Sequence, residues 1–280
     1  MSMSYSMEEK IALVTGASDG IGKQVALELA QKGWHVIAHG RNQEKTQKAV
    51  TEIKGKSNGK VDIALADLSS FKQIRQLSDE IHKKYTHIDL LINNAGVQNH
   101  TKEITEDGLE YSFQVNHLAY FYVTSLLLDL VRNSDYRRIV LVSSHIHSED
   151  IDFDNLQAEK GYSLFPVYCQ TKLENLLFGY KLADLLKADG IAVHCIHPGM
   201  VNTHLNPKRS ADIVARTIPV TQGSISTMVA GTSPDLEGKT GLYINNDGTI
   251  GKSKPVSYNK ATQDRLWEIS EELIGEKFRF

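Results

Sequence analysis

Tyr168 and Lys172 stand four residues apart in the apolar stretch LFPVYCQTKLENLLFGYKLADLL, and this spacing could support proton transfer. On an α-helix, residues i and i+4 lie on one face with their Cβ atoms about 5–6 Å apart. A lysine ammonium one turn away would stabilise a phenolate and let the tyrosine both give and accept a proton. The alternative is a surface helix from which both side chains snorkel. Taken alone, the spacing slightly favours this alternative, so the rest of the sequence has to decide.

A glycine-rich segment, TGASDGIG, follows the first apolar run and precedes the first helical pattern. Gly16, Gly20 and Gly22 would let the backbone turn tightly and approach a pyrophosphate at the N-terminus of the helix. The spacing is G-x3-G-x-G rather than the general dinucleotide pattern G-x-G-x-x-G, and an ordinary glycine-rich turn is the alternative. The position between a strand and a helix is the context that the motif requires, so we predict a dinucleotide site here.

The end of the second apolar run, AHGRN, bears on which dinucleotide would bind. A site for NAD usually has Asp or Glu there to hold the ribose 2′-hydroxyl. This chain has Gly40 followed by Arg41, whose planar guanidinium suits a 2′-phosphate, and Lys23 could add a second cation. The alternative for Arg41 is a solvated loop residue. We therefore predict that NADP(H) is preferred over NAD(H).

The elements that would position these residues alternate along the chain. Short β-branched or Leu-rich runs, most of them ending in Gly, Asn, Asp or Ser, predict buried strands. They are KIALVTG, WHVIAHG, VDIALAD, IDLLINNAG, RRIVLVSS, IAVHCIHPG and GLYIN. Helix-length stretches separate them, with a serine N-cap in SSFKQI and Gly33 at the C′ position of the first helix. The pattern predicts an α/β fold, a single-domain Rossmann-type doubly wound parallel sheet of about seven strands with helices on both faces, over residues 1–280 with a flexible N-terminus at 1–9.

Composition and charge argue against several classes of protein. The chain has 280 residues, of which 41% are hydrophobic and 23% charged, and its formal net charge is −3, so no basic excess indicates a nucleic-acid partner. No apolar run reaches the length of a membrane span, and MSMSYSMEEK lacks the features of a secretory signal. Cys169 and Cys195 form no disulfide framework, which favours a reducing compartment. We expect a soluble, cytoplasmic protein with no membrane span.

Seven motifs follow one another in an order typical of one enzyme family. They are TGASDGIG, ADL, NNAG, QVNHLAYF, RIVLVSS, YCQTK and HPGMVNT. Together they resemble the short-chain dehydrogenase/reductase family over most of the chain. FQVNHL, DNLQAEKGY and YCQTKLENLLF are most similar to its retinol-dehydrogenase-like branch. Membrane members of that branch begin with an apolar anchor, which this sequence does not show. The resemblance implies an NADP-dependent alcohol dehydrogenase or carbonyl reductase.

The resemblance implies catalytic roles for four residues. Tyr168 would be the acid and base, and Lys172 would lower the pKa of its phenol and bind the nicotinamide ribose. Ser144, at the end of the fifth strand, would orient the substrate oxygen, and Ser143 would be structural. The 24 residues from Ser144 to Tyr168 include an insertion of a kind that this branch carries. Asn116 would hold a water that relays protons from the lysine, and the alternative is a buried asparagine with satisfied hydrogen bonds.

The same resemblance implies a set of cofactor contacts. Asp67 would accept a hydrogen bond from the adenine amino group, the backbone of NNAG would line the adenosine half, and Thr203 would hold the nicotinamide carboxamide. Turn or strand-end structure is the alternative for each, and Asp67 could simply cap the following helix. The implied cofactor-binding residues are Gly16, Ser18, Asp19, Gly20, Ile21, Gly22, Arg41, Asp67, Leu68, Asn94, Ala95, Gly96, Tyr168, Lys172, Pro198, Gly199, Val201 and Thr203.

Two pairs of histidines call for a check on metal binding. His145 and His147 form the segment HIH, and His194 and His197 form HCIH, with acidic residues near the first pair. Neither pair has the ligand spacing of a zinc site, so we predict no metal. Cys169, next to Tyr168, points about 100° away from it on a helix and is expected to pack rather than react.

Two segments are expected to form the substrate side of the site, namely the insertion at 145–165 and the stretch at 200–225. Their aromatic and apolar residues suit a small hydrophobic alcohol, aldehyde or ketone, such as a retinoid, a steroid or a lipid aldehyde. An amphipathic flap that merely covers the sheet is the alternative. The residues expected to wall the pocket are His145, Tyr162, Phe165, His204 and Leu205.

The assembly and the class of function complete the expectations. The insertion precedes the tyrosine helix, which many family members use for dimer contacts, so we expect a monomer or a loose dimer.

The alternative to an enzyme is a non-catalytic NADP(H)-sensing regulatory protein on the same fold. Such proteins commonly lose the tyrosine or the lysine, and this chain keeps both. A sugar-nucleotide epimerase would need a G-x-x-G-x-x-G loop and a larger C-terminal domain, which the sequence lacks.

Overall fold

The predicted strand segments all lie in one sheet. The computed structural model describes residues 9–205 and 211–280, so most of the predicted flexible N-terminus at 1–9 and residues 206–210 of the 200–225 segment lie outside it. The described strands are β1 Ile11–Val14, β2 His35–Gly40, β3 Val61–Leu65, β4 Leu90–Asn93, β5 Arg138–Val142, β6 Ala192–Ile196, β7 Leu242–Ile244 and β8 Ile250–Gly251. Within the described ranges they form an eight-stranded sheet in the order β3-β2-β1-β4-β5-β6-β7-β8.

The sheet is parallel from β3 to β7, as the continuous apolar strands predict. The exception is β8, which pairs antiparallel with β7 through Tyr243 opposite Gly251 and Ile244 opposite Ile250. A two-residue strand has no periodicity to recognise, which is why the expectation of about seven strands missed it. The tight turn between the two strands contains Gly248 at φ +87, a backbone conformation that favours glycine.

The helices cover both faces of the sheet. They are α1 Gly20–Gln31, α2 Gln43–Lys54, α3 Phe71–Lys84, α4 Tyr111–Phe113, α5 Ala119–Arg132, α6 Leu164–Leu185, α7 Ala211–Val214, α8 Val220–Gly223, α9 Ile225–Thr232 and α10 Lys260–Ile274. The predicted punctuation is present, since Ser70 caps α3 and Gly33 follows α1 at φ +82. In the part of the chain that the structure describes, no helix is both long and apolar enough to cross a bilayer.

Two apolar layers enclose the sheet. On one face α3, α5, α6 and α10 bury side chains such as Phe121, Leu177 and Trp267 in a continuous cluster. On the other face α1, α2 and α9 bury Leu29, Val50 and Met228 against the opposite side of the strands. Burial on both faces explains why the strands read as continuous apolar runs rather than alternating ones.

The strand order creates the place for a ligand. The chain runs from β1 outward to β3, then returns to add β4 on the other side of β1. Helices therefore diverge to opposite faces at the carboxyl ends of β1 and β4, which opens a crevice there. The residues after these strands are held together at the crevice, because Thr15 N donates to Ile92 O at 3.0 Å.

The last helix and the C-terminal tail close the face that α5 and α6 present. His117 Nε2 and Ser270 Oγ are 2.9 Å apart, and Arg279 N donates to Ser125 Oγ at 2.8 Å. The ring centroid of Phe278 lies 5.0 Å from that of Phe121 on α5. The face of α5 and α6 is therefore covered by α10 and the tail.

Candidate active site

One cavity of about 680 Å³ opens at the carboxyl ends of β1, β2, β4, β5 and β6. The eighteen residues named above as implied cofactor contacts all line it, together with Ser144. Of the four residues with implied catalytic roles, Asn116 is the one that does not line the cavity. The other lining residues are His39, Gly40, Ala66, Val97, Gln98, Tyr111, Val115, Val142, Ser143, His145, Ile146, Phe165, Met200, His204, Leu205, Ile213 and Arg216.

Neighbouring atoms leave little or no room for a side chain at the three glycines of the glycine-rich turn. Gly16 has φ +68, and a Cβ on Gly22 would lie 2.3 Å from the carbonyl oxygen of Gly16. A Cβ on Gly20 would come within 3.1 Å of Thr203 Cγ2, across the mouth of the turn. Asp19 caps α1 by accepting a hydrogen bond from Gly20 N at 2.7 Å. The backbone at these glycines can therefore be approached closely, which is what a pyrophosphate at the start of a helix requires.

His39, which we did not predict, holds the glycine-rich turn in place. Gly16 N donates to His39 Nδ1 at 3.3 Å, so the ring proton is on Nε2, which lies 3.1 Å from Ala66 O. Burial lowers the pKa of His39 to about 4 and keeps the ring neutral. The sequence did contain a signal for this role. His39 is a polar residue within a predicted buried strand, WHVIAHG, and a buried imidazole needs hydrogen-bond partners.

The NNAG segment fastens the same turn from the other side. Thr15 Oγ1 accepts hydrogen bonds from Asn94 N at 2.8 Å and Ala95 N at 3.0 Å. Asn94 Nδ2 donates to Thr15 O at 2.8 Å. Asn94 is therefore committed to the turn, and its neighbours Ala95 and Gly96 expose backbone to the cavity.

The end of the cavity beside β2 carries a guanidinium. Arg41 Nη1 donates to Tyr111 OH at 2.6 Å and lies 3.6 Å from Asp67 Oδ2, while 63% of its side chain stays exposed. Gly40 has a packing reason to lack a carboxylate, because a Cβ there would lie 2.2 Å from Thr46 Oγ1 on α2. Asp67 does not cap α3. Its Oδ1 instead accepts hydrogen bonds from Ser69.

Lys23 is not the second cation of this site. Its Nζ pairs with Glu52 Oε2 on α2 at 2.5 Å, and it is not part of the cavity lining. Lys23 is the fourth residue of α1, and its side chain extends to Glu52 rather than into the cavity.

Tyr168 and Lys172 lie one turn apart on α6 and both face the cavity. Lys172 Nζ is 5.6 Å from the centroid of the Tyr168 ring and donates to Val142 O at 3.1 Å. Burial lowers the pKa of Lys172 to about 7, and within the described ranges no carboxylate pairs with it. The surface-helix alternative is therefore wrong, since both side chains are buried.

The two serines after β5 have different partners. Ser143 Oγ donates to the backbone carbonyl oxygen of Lys172 at 2.6 Å, and this bond joins the end of β5 to α6. Ser144 Oγ accepts a hydrogen bond from Ile146 N at 3.3 Å and lines the cavity. A hydroxyl that accepts from a backbone N–H keeps its own proton to offer to a substrate oxygen.

Asn116 lies at the centre of a π-helical turn, Gln114–Leu118, between α4 and α5. Its Oδ1 accepts from Val97 N at 2.7 Å, and its Nδ2 donates to Val97 O and Thr171 Oγ1. A Cβ built on Gly96 would lie 3.4 Å from Asn116 Oδ1 and 3.7 Å from Lys172 Nζ, so the two side chains are neighbours. Both amide atoms have protein partners, as the satisfied-asparagine alternative requires, and such π-turns are frequent at functional sites.

The outer half of the cavity is mainly apolar. Ile146, Phe165, Met200, Leu205 and Ile213 line it, with 62% of Phe165 exposed at the mouth. The lining therefore combines residues of the insertion with residues that follow β6. Of the five predicted wall residues, His145, Phe165, His204 and Leu205 line the cavity and Tyr162 does not. Tyr162 OH donates to Asn99 O at 2.7 Å instead.

The histidines near the site pack and hydrogen-bond. His145 and His197 have ring centroids 4.4 Å apart, and His197 Nδ1 accepts from Gly199 N at 3.1 Å. Burial lowers the pKa of His197 to about 4. Among the described residues, no three His, Cys, Asp or Glu side chains converge as metal ligands would.

Comparisons with known proteins agree with this geometry. A family model described as short chain dehydrogenase matches residues 10–214. Human polyprenol dehydrogenase is 36% identical over 95% of this chain and 86% of its own length. Human retinol dehydrogenase 13 is 37% identical over 95% of this chain and 85% of its own length. A solved structure of a short chain dehydrogenase from Shigella flexneri, complexed with NADP, covers 85% of this chain and 96% of its own with a TM-score of 0.68 and 26% identity.

Proposed function

The chain belongs to the short chain dehydrogenase family, and from this premise we propose that it is an NADP(H)-dependent oxidoreductase that interconverts a hydrophobic alcohol and its aldehyde or ketone. The observation that carries the proposal is the shared wall of one cavity. Tyr168 and Lys172 face it from α6, Ser144 faces it from the end of β5, and the glycine-rich turn forms its inner end. A proton donor, a cation and a hydroxyl thus surround the space beside a dinucleotide site.

Tyr168 acts as the acid and base in this proposal. When bound, the nicotinamide cofactor donates or accepts the hydride. The protein then has to supply a proton to the alkoxide oxygen, or remove one from the alcohol. Lys172, 5.6 Å from the phenol ring and shielded from water, favours the phenolate when it is charged. Its displaced pKa of about 7 lets it exchange a proton near neutral pH.

Ser144 and Asn116 support the proton transfer. Ser144 holds the substrate oxygen towards Tyr168 with a hydroxyl that accepts from Ile146 N and donates to no protein group within residues 9–205 and 211–280. Asn116, fixed by Val97 and Thr171, shapes the space beside Lys172 in which a relaying water would be held. These roles match what the family resemblance implies for the four residues.

NADP(H) is the cofactor that we propose to be preferred. The absence of a carboxylate at Gly40 is built into the packing of α2, and Arg41 lies beside Tyr111 with most of its guanidinium exposed. A 2′-phosphate could accept hydrogen bonds from the guanidinium nitrogens that Tyr111 leaves open. The similar Shigella flexneri structure contains NADP, which supports the same choice.

We propose that the substrate is hydrophobic. The outer half of the cavity offers the apolar side chains Ile146, Phe165, Met200 and Ile213 beside the polar ones of His145, His204 and Arg216, so an apolar chain or ring would gain free energy by entering it. Retinol and polyprenol appear in the names of similar dehydrogenases, and both are apolar alcohols. The segments at 145–165 and 200–225 would then be the part of the chain that selects the substrate.

Cofactor titration followed by a turnover assay tests the proposal. Intrinsic fluorescence would measure binding of NADPH and NADH, and nicotinamide absorbance would follow reaction with retinoids, steroid ketones, lipid aldehydes and quinones. Tyr168→Phe should abolish turnover and leave NADPH binding nearly intact. Tyr120→Phe is the matched control, because its buried hydroxyl has no hydrogen-bond partner among the described residues and its ring is 5.8 Å from Lys172 Nζ.

Retained kcat in Tyr168→Phe would rule out the acid–base assignment. Tight NADPH binding without turnover on any member of the panel would instead favour the non-catalytic sensor. The comparisons give that alternative no support, because the similar curated proteins are dehydrogenases.

A further inference from the structure

A buried histidine follows the substrate-orienting serine by three residues. Only 2% of His147 is exposed, and both of its ring nitrogens have partners. Nε2 accepts a hydrogen bond from Lys254 N at 2.9 Å, so the ring proton is on Nδ1. Nδ1 lies 2.6 Å from Ser144 O and donates to it. Burial also lowers the pKa of His147, which keeps the ring neutral and preserves both bonds.

These two bonds join distant parts of the chain. Ser144 is the second residue after β5, whereas Lys254 follows β8 and precedes the short 3₁₀ turn Pro255–Tyr258. The side chain of Lys254 adds to the junction, since Nζ donates to His147 O and pairs with Glu149 Oε1 at 3.0 Å. The sheet edge at β7 and β8 therefore holds the turn that carries Ser144.

The same turn is bonded to α6 beside the tyrosine. Ser148 N donates to Cys169 O at 3.1 Å, one residue after Tyr168. His147 thus belongs to a turn that is joined both to Ser144 and to the helix of Tyr168, and its ring is not part of the cavity lining. It cannot touch substrate, so its effect on the reaction must pass through the backbone of Ser144.

We propose that His147 is a positioning residue that fixes Ser144 relative to Tyr168 by bridging the Ser144 carbonyl to the Lys254 amide. The inference rests on the proposed role of Ser144. A backbone anchored at two points keeps the hydroxyl within hydrogen-bond reach of the substrate oxygen, and a misplacement of about 1 Å can cost up to about 100-fold in rate.

Substitutions of His147 test the bridge. His147→Phe keeps the ring volume and removes both bonds, so kcat should fall by about 10- to 100-fold while the Kd for NADPH stays within about twofold. His147→Asn keeps an amide donor close to the position of Nδ1 and should recover part of the kcat. Ser144→Ala, measured alongside, gives the loss expected when the hydroxyl itself is absent.

Lys254 provides a matched pair of variants on the other side of the bridge. Its φ of −65 is the value that proline imposes, so Lys254→Pro removes the N–H with little distortion of that residue. Lys254→Met removes only the side-chain ammonium. We expect Lys254→Pro to lower kcat by about tenfold or more and Lys254→Met to change it by less than about threefold.

The outcomes separate this inference from the proposed function. If Ser144→Ala loses kcat and His147→Phe does not, the bridge has no positioning role, although the proposed function stands. If Ser144→Ala keeps its kcat, the proposed role of Ser144 fails and the inference fails with it. Parallel loss of NADPH binding and kcat in His147→Phe, or failure of all the His147 and Lys254→Pro variants to fold, would make His147 a general structural residue and overturn the proposal.

Discussion

Lys172 is a buried cation held close to its neutral form. Its ammonium contacts a backbone carbonyl and the faces of two tyrosine rings, and desolvation lowers its pKa to about 7 from the ordinary 10.5. The same burial that suits Lys172 to its proposed role beside Tyr168 makes it costly to the fold, because the unfolded chain binds the proton more tightly. In the proposed reaction, activity and stability therefore oppose each other at this residue.

Lys172→Met should stabilise the cofactor-free protein, and the gain should depend on pH. Because the pKa of Lys172 is lower in the folded protein than in the unfolded chain, Lys172 destabilises the fold most at and below about pH 7, and this destabilisation disappears as the pH rises to about 10.5. The free energy of unfolding in urea should therefore be higher for the variant than for the wild type at about pH 7, and this difference should shrink by about 1–3 kcal/mol at about pH 9. A constant difference would mean that Lys172 titrates normally.

Arg41→Ala should weaken NADPH binding far more than NADH binding. A guanidinium that donates to a phosphate makes charge-assisted bonds, so we expect a loss on the order of ten- to a hundredfold for NADPH. Lys23→Ala is the control, because it removes an equal charge that is paired with Glu52 outside the cavity. Equal losses for both cofactors in Arg41→Ala would make Arg41 a structural residue.

The residues predicted from sequence were those with strong local constraints. Gly16 and Gly22 could be recognised because the turn leaves no room for a side chain at these two positions. The spacing of Tyr168 and Lys172 could be recognised because it follows directly from helix geometry. His39 and Tyr111 were missed because their partners, Gly16 and Arg41, are distant in the sequence. The error over Lys23 has the same origin, since nothing local reveals that Glu52 lies beside it.

At the scale of the elements, long helices and buried strands could be predicted from their sequence patterns, whereas short or irregular elements could not. The buried strands and the helices α1, α2, α3 and α6 have patterns that extend over several residues. The π-helical turn Gln114–Leu118 keeps the helical pattern of its surroundings and is invisible in the sequence. The docking of α10 on α6 depends on tertiary packing of aromatic residues, including Trp267 against Phe178 at 5.9 Å.

The C-terminal tail supplies a test of how firmly α10 is held. Phe278 is 4% exposed and packs on Phe121 and Trp267, whereas Phe280, two residues later, is 58% exposed. Phe278→Ala should lower the free energy of unfolding by about 3–5 kcal/mol, the usual cost of removing a buried aromatic ring. Phe280→Ala should cost much less. Similar losses in the two variants, measured by urea unfolding, would contradict the docking of the tail.

At the scale of the whole molecule, the surface left for self-association is reduced. The apolar face of α5 and α6 is covered by α10 and the tail, so two copies gain little by pairing through it. We expect the purified protein to scatter light as a single chain of 31.2 kDa at micromolar concentration, or as a weak dimer that dissociates on dilution. A stable mass of four chains would show that another face associates.

Coverage of α5 and α6 by the end of the chain has a consequence for synthesis. The bonds His117–Ser270 and Tyr122–Glu276 join residues separated by 153 and 154 positions, so they cannot form until residues as far as Glu276 have emerged from the ribosome. Until then the nascent protein exposes an aromatic surface, and such surfaces bind chaperones or aggregate. Loss of residues 270–280 would therefore act as a folding lesion, although the last described residue that lines the cavity, Arg216, precedes them.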